Sequence, residues 1–113
     1  MGLFFGTDGL RGKVNEDLTQ EVAYKVGNAL SILKEKPTIL IGGDTRISRT
    51  YLTLGVASGA MSGGARVIDA GVVHTAGIAY LTKLIGADYG VVISASHNSG
   101  EYNGIKEIGR AHV

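Results

Sequence analysis

The chain has 113 residues, which suits one domain, and 44% of them are hydrophobic, enough for a small continuous core. Lys and Arg total 11 against 10 for Asp and Glu, so a net charge of +1 gives no strong field for binding nucleic acid or an anionic membrane. No cysteine is present, and no apolar run resembles a membrane span or a signal peptide, so these features favour a soluble cytoplasmic domain without disulfides or thiolate metal sites.

The first predicted elements are a short strand at residues 4–5 and a helix. The helix is expected to begin at Asp17 or Thr19, either of which can cap it, and to end at Pro37. Its apolar positions at helical spacing are Leu18, Val22, Val26, Leu30 and Leu33.

Strands and helices continue to alternate along the rest of the chain. We expect Ser48 to cap a second helix, which presents Leu52, Val56 and Ala60 on one face. The remaining elements are strands over residues 38–41, 66–69 and 89–93, the second helix to about residue 63, and a third helix over 75–85.

This alternation predicts an α/β fold with a largely parallel sheet that helices cover on both faces. Ligands of such sheets gather in the loops beyond the carboxyl ends of the strands. Three loops meet that condition, residues 42–48, 71–75 and 94–104, and the opening loop over residues 6–12 can join them.

Residues 6–12 (GTDGLRG) are expected to form a tight, glycine-rich loop. Glycine allows backbone N–H groups to turn toward an anion, and Arg11 can hold a phosphate or a carboxylate through two parallel hydrogen bonds. A plain turn that carries an exposed arginine fits the same pattern equally well.

Residues 42–48 (GGDTRIS) follow a strand and lead into a helix. Asp44 and Arg46 are candidates for orienting a neighbouring active-site loop. Taken alone, this motif is better explained by a simple strand-to-helix connection with Ser48 as the helix cap.

Residues 94–98 (SASHN) follow a buried strand and place a hydroxyl group, that of Ser96, where a nucleophile would be useful. His97 is adjacent in sequence, but adjacency does not make it the base for Ser96, because a base must reach the hydroxyl oxygen in space. A polar loop without catalytic function remains open on these residues alone. His74, His112 and Asp69 stand apart from other ligands, so no complete metal site is predicted within the chain.

In their order and spacing, these segments resemble the phosphohexomutase family, which includes phosphoglucomutases, phosphomannomutases and phosphoglucosamine mutases. Residues 5–12 resemble its opening signature, residues 42–48 its second loop and residues 93–98 its phosphoserine loop, with NGIK following at residues 103–106. The threonine–aspartate–glycine opening and the SASHN form are most similar to the phosphoglucosamine mutase branch. The resemblance implies a three-layer α/β/α domain with a largely parallel mixed sheet, the first domain of a four-domain enzyme.

The resemblance also implies roles for particular residues. Ser96 matches the serine that carries the phosphoryl group, which it would donate to and recover from a hexosamine phosphate, and this phosphate would supply one ligand of a Mg²⁺ cofactor. The matched catalytic positions are Ser96, Lys106, His97 and Arg11. The matched supporting positions are Thr7, Asp8, Gly9, Asn98, Asp44 and Arg46.

The resemblance covers residues 1–106, and the remaining metal ligands and the sugar-recognition loop of the family lie beyond them. We therefore expect the chain alone to be inactive without the other domains of its parent protein. Residues 107–113 (EIGRAHV) depart from the family and back-translate to the start of a short-read sequencing adapter, so we interpret them as a non-native tail. The alternatives are a fragment of a phosphomannomutase or phosphoglucomutase, and a non-catalytic phosphosugar-binding module.

Overall fold

The computed structural model describes residues 9–94 and 102–108. Within these ranges the chain forms five strands and three helices that alternate through most of the sequence. In chain order they are β1 (Leu10–Lys13), α1 (Gln20–Ser31), β2 (Thr38–Gly43), α2 (Ser48–Ser62), β3 (Arg66–Val72), α3 (Thr75–Ile85), β4 (Tyr89–Ile93) and β5 (Tyr102–Glu107).

The five described strands form one mixed sheet in the order β1-β5-β4-β2-β3. Strand β2 pairs in parallel with both β3 and β4, whereas β5 is antiparallel to its neighbours β4 and β1. Only β5 among these strands therefore runs against the common direction. The prediction of a largely parallel mixed sheet is confirmed.

Two separate apolar clusters cover the two faces of the sheet. On one face, α1 and α2 pack on residues such as Ile39, Ile41 and Ile93, which are fully buried. On the other face, Ile78 of α3 packs with Leu40 and Val92. Because side chains alternate along a strand, neighbouring residues of β2 and β4 serve opposite faces. The result is the expected three-layer α/β/α arrangement.

The first helix begins as predicted but ends earlier. The Thr19 hydroxyl caps it by accepting a hydrogen bond from the Val22 N–H at 3.2 Å. The helix stops at Ser31, well before Pro37, and Leu33 is 65% exposed instead of lying on the buried face. The chain leaves the helix so that β2 can join the sheet, where Asp88 pairs with Lys34 and accepts the Thr38 N–H at 2.8 Å.

The second helix has the predicted length, with Leu52, Val56 and Ala60 fully buried on one face. The prediction that Ser48 caps it is wrong. Ile47 occupies the capping position and makes no side-chain capping bond, and Ser48 is the first helical residue. The Ser48 hydroxyl is instead the acceptor for the side chain of Asn103, which only tertiary structure brings near.

All four predicted loops overlap strands, because β2 and β3 continue to Gly43 and Val72 and because β1 and β5 were not predicted. Arg11 and Gly12 lie in β1 and not in a tight turn, because they pair with Gly104 and Asn103 of β5. Strand β5 in turn takes up the end of the predicted loop over residues 94–104. The paired residues of β1 and β5 are about ninety positions apart in the sequence, and local strand propensity does not indicate such distant pairing.

The sheet also includes the first residues of the predicted tail. Glu107 pairs with Val91, the Ile108 N–H donates to the Gly90 carbonyl at 2.9 Å, and the Ile108 side chain packs on the α3 face. Residues 109–113 and the predicted strand at residues 4–5 lie outside the described ranges, so the foreign origin of the tail stays a hypothesis. Among the described helices, none is both long and apolar enough to cross a membrane.

Candidate functional site

The carboxyl ends of β2, β3 and β4 meet at one edge of the sheet, where α2 and α3 begin. Neither helix has an acidic residue in its first turn. The partial positive charge of a helix N-terminus favours anions nearby. This edge, which also holds the start and the end of the 95–101 segment between β4 and β5, therefore suits a phosphorylated ligand.

Asp44 links the residue after β2 to the residue after β4. Its N–H donates to the Ile93 carbonyl at 3.1 Å, which extends the pairing of β2 with β4. Its Oδ2 atom accepts hydrogen bonds from the Ser94 hydroxyl at 3.1 Å and from Arg46 Nε at 3.0 Å, and its Oδ1 accepts the Arg46 N–H at 3.1 Å. The carboxylate thus holds Ser94, the residue that precedes the 95–101 segment.

A second link forms at the other end of the 95–101 segment. The Asn103 side chain is fully buried, and its Nδ2 donates to the Ser48 hydroxyl at 2.7 Å. Its Oδ1 accepts the Gly104 N–H at 2.8 Å. Both polar atoms of the amide are therefore used, which offsets the cost of burying them.

Strands β4, β5 and β1 approach closely at this edge. The Ser94 N–H donates to the Gly104 carbonyl at 3.0 Å, and Gly104 lies opposite Arg11. A side chain at Gly104 would place its Cβ 2.7 Å from the Ser94 carbonyl oxygen and 3.0 Å from Arg11 Cγ. Glycine is thus required at residue 104. The aliphatic part of the Arg11 side chain lies over the backbone of Gly104, which has no side chain of its own.

Lys106 lies on the same face of the sheet as that arginine stem. It pairs with Val92, which packs on the α3 face, and it is two residues beyond Gly104 in β5. Side chains two residues apart on a strand share a face and lie roughly 7 Å apart. Gly9, with φ +76°, lies against the Lys106 backbone. The cationic side chains of Arg11 and Lys106 therefore share one face of the sheet, where they can attract a phosphate group.

The structure brings together five of the predicted site residues at or near one edge: Gly9, Arg11, Asp44, Arg46 and Lys106. The other predicted site residues, namely Thr7, Asp8, Ser96, His97 and Asn98, lie outside the described ranges. The 71–75 loop contributes a backbone bond, from the Val73 N–H to the Gly43 carbonyl at 2.9 Å.

No group of three or more His, Asp or Glu side chains among residues 9–94 and 102–108 is arranged to hold a metal ion. The described part of the chain therefore does not itself fit a Mg²⁺ site.

Sequence reasoning missed the roles of Ser94, Ser48 and Asn103 at the two ends of the 95–101 segment. Asn103 gave a usable signal, since an asparagine within the otherwise buried run that follows the loop must satisfy its amide. The partner of that amide could not be read, because Ser48 lies 55 positions away and serves equally well as a helix cap in sequence terms.

Comparison with known proteins agrees with this geometry. Phosphoglucosamine mutase of Anoxybacillus flavithermus is 51% identical over 113 aligned residues, which cover 96% of this chain and 25% of that protein. Phosphoglucosamine mutase of Clostridium acetobutylicum is 53% identical over 110 residues, which cover 94% of this chain and 25% of that protein. The chain thus spans about a quarter of the length of these relatives.

Solved structures show the same fold. A protein from Thermus thermophilus assigned as a phosphomannomutase superposes with a TM-score of 0.86 at 23% identity, over 98% of this chain and 26% of that one. A phosphoglucomutase/phosphomannomutase family protein from Burkholderia thailandensis gives 0.79 at 27% identity, over 95% and 26%. The sequence model of the family phosphoglucomutase/phosphomannomutase, α/β/α domain I, matches residues 2–111, so this chain belongs to that family.

Proposed function

We propose that the chain is the phosphoserine domain of a phosphoglucosamine mutase, which interconverts glucosamine 6-phosphate and glucosamine 1-phosphate for amino-sugar and cell-wall precursor synthesis. The observation that carries this proposal is identity of 51–53% with proteins of that name along almost the whole chain. The named phosphomannomutase structure shares only 23% identity and supports the fold alone. The full activity needs the three-quarters of such an enzyme that this chain does not span.

Ser96 is the proposed phosphoryl carrier. In the first half-reaction the bond between Ser96 Oγ and phosphorus breaks as the 1-hydroxyl of glucosamine 6-phosphate bonds to phosphorus, which leaves a serine hydroxyl and a 1,6-bisphosphate. After the intermediate reorients, Ser96 recovers the phosphoryl group from the 6-position and glucosamine 1-phosphate leaves. In sequence the carrier is the third residue after β4, and Asp44 holds Ser94, two positions before it.

The cationic residues would stabilise charge during transfer. A phosphoryl group in transit spreads negative charge over its peripheral oxygens. Arg11 and Lys106 share one face of the sheet near the carboxyl end of β4, so we assign them to this task. His97 and Asn98, and Thr7, Asp8 and Gly9 of the opening loop, are the proposed supports, while Asp44 and Arg46 hold Ser94 before the segment.

A Mg²⁺ ion completes the proposal for the whole enzyme, where it would neutralise phosphate charge. The phosphate on Ser96 would be the single ligand from this chain. The working enzyme would be cytoplasmic, with the remaining domains of the parent protein as partners of this one.

A domain graft tests the proposal. Residues 1–106 replace the matching N-terminal quarter of the Clostridium acetobutylicum phosphoglucosamine mutase, and the product is called the grafted enzyme. We expect glucosamine phosphate mutase activity, and a loss of at least about 10³-fold in Ser96→Ala, the scale of loss when a nucleophile is removed. Ser62→Ala, at the exposed far end of α2, is the matched control and should retain activity.

A second graft, into the Thermus thermophilus protein, addresses the alternative that the chain derives from a phosphomannomutase. The proposal predicts clearly higher activity in the phosphoglucosamine mutase body. Equal or higher activity in the other body would favour the alternative, and full activity of Ser96→Ala would reject the nucleophile. Turnover by residues 1–113 alone would reject the need for further domains.

A further inference from the structure

Both ends of the 95–101 segment are held by the same short stretch, residues 44–48, which we call the β2–α2 corner. Ser94, before the segment, donates to Asp44 at 3.1 Å, and Asn103, after it, donates to Ser48 at 2.7 Å. The two acceptors are four residues apart, across the turn from strand to helix. One short stretch therefore contacts the residues on both sides of the segment.

The two links act on opposite faces of the sheet. Ile93 and Ile105 belong to the cluster under α1 and α2, so alternation places Ser94 on the α3 face and Asn103 on the α1/α2 face. The side-chain contact of Asn103 with α2 agrees with this placement. Together, the links restrain both displacement along the strands and rotation about them.

The buried amide of Asn103 needs hydrogen-bond partners at defined positions. The residue is 0% exposed within an apolar layer, where an aliphatic side chain would pack without needing any hydrogen bond. Its amide instead fixes Ser48 and the adjacent Gly104 N–H at once. A buried amide whose nitrogen and oxygen are both hydrogen-bonded favours one arrangement of its neighbours over others.

We propose that Ser48 and Asn103 are positioning residues that, with Asp44 and Ser94, set the place of the reactive hydroxyl by fixing both ends of the 95–101 segment. This inference rests on the proposed function of Ser96. Phosphoryl transfer requires the reacting atoms in line and in near contact, and a displacement of about 1 Å can cost about 10²-fold in rate. Neither residue need touch the substrate to have this effect.

Ser48→Ala in the grafted enzyme tests the link with little risk to folding, since Ser48 is only half-buried. We expect kcat to fall about 10- to 30-fold and KM for the sugar phosphate to stay within about twofold, because misplacement acts on the transfer step and not on substrate contacts. Ser48→Thr keeps the hydroxyl and should restore kcat to within about threefold of the unsubstituted graft.

Ser31→Ala is the matched control, because it removes another inward-facing serine hydroxyl, which donates to the Asn28 carbonyl at 2.6 Å, far along α1 from the site. It should leave kcat unchanged. A kcat loss in Ser48→Ala no larger than in this control, or a failure of threonine to rescue, would overturn the proposal.

Hydrogen exchange keeps the test independent of catalysis. In the grafted enzyme, a peptide that covers residues 95–106 should exchange faster in Ser48→Ala than in Ser31→Ala, and unchanged exchange would overturn the proposal even if the graft were inactive. An active graft whose Ser96→Ala variant retained activity would reject the proposed function instead. The two failures are thus distinguishable.

Discussion

Two corners of the sheet edge, similar in position, differ in how they are connected. The β2–α2 corner contacts β4 and β5 through the side chains of Asp44 and Ser48. The β3–α3 corner, residues 73–75, is held by a backbone bond from Val73, and His74 makes no side-chain capping bond. A side-chain hydrogen bond requires a particular residue type at each of two positions. The two such bonds at the β2–α2 corner therefore indicate that the positions of Ser94 and Asn103, on either side of the 95–101 segment, are important.

The largest effect is expected at Asp44. Asp44→Ala in the grafted enzyme removes the acceptor of Ser94 and a counter-charge of Arg46, so we expect kcat to fall about 100-fold. His74→Ala, in the other corner, should change kcat less than about threefold. Steady-state kinetics on both variants make the measurement. Similar losses in the two variants would remove the distinction between the corners.

The next effect concerns stability at the buried amide. Asn103→Ala removes two hydrogen bonds and leaves a cavity, so the free energy of unfolding should fall by about 2–3 kcal/mol. Urea unfolding of the 113-residue chain followed by circular dichroism gives the value. Thr82→Ala, which removes a buried bond to the Ile78 carbonyl within α3, should cost about 1 kcal/mol. If the two losses in unfolding free energy were equal, Asn103 would contribute no more to stability than an ordinary buried hydrogen bond.

Gly104→Ala should cost somewhat less, about 1–3 kcal/mol in the same unfolding assay. A Cβ there would meet the backbone carbonyl oxygens of Ser94 and Leu10 at 2.7 and 2.9 Å, so strands must separate. Val72→Ala, at the 58% exposed end of β3, should change stability by no more than about 0.5 kcal/mol. A neutral Gly104→Ala would show that the close approach of β1, β4 and β5 is not needed.

The smallest effect is expected for Ser94→Thr, which keeps the hydroxyl that donates to Asp44. Its kcat in the grafted enzyme should stay within about threefold of the unsubstituted graft. Ser94→Ala, which lacks the donor, should lose about tenfold. Equal rates for the two variants would mean that the hydroxyl of Ser94 does not hold the segment.

The sequence predicted the elements whose signals are local. The bounds of α3 and β4 agree with the prediction, because a run of apolar residues ends at Gly86 in one case and at the polar Ser94 in the other. The end of α1 did not follow its apolar pattern, since the ion pair of Lys34 with Asp88 belongs to tertiary structure. Helix patterns continue past a helix end whenever the exit segment is apolar by chance, as at Leu33.

The candidate site was predictable only in part. Short motifs located Arg11, Asp44, Arg46 and Lys106, and the fold brings them to the same end of the sheet. The links through Ser48 and Asn103 were not predictable, because they join residues 55 positions apart and serine has a simpler local role. Strand β1 was missed for the same reason, as its hydrogen bonds depend on a partner near the other end of the chain.

The central claim is that one hydroxyl between β4 and β5 carries the phosphoryl group. The most direct test is to treat the grafted enzyme with glucosamine 1,6-bisphosphate, digest it and locate the added phosphate by mass spectrometry. We expect a single phosphate on Ser96, absent from Ser96→Ala. Phosphate on any other side chain, or undiminished labelling of that variant, would contradict it.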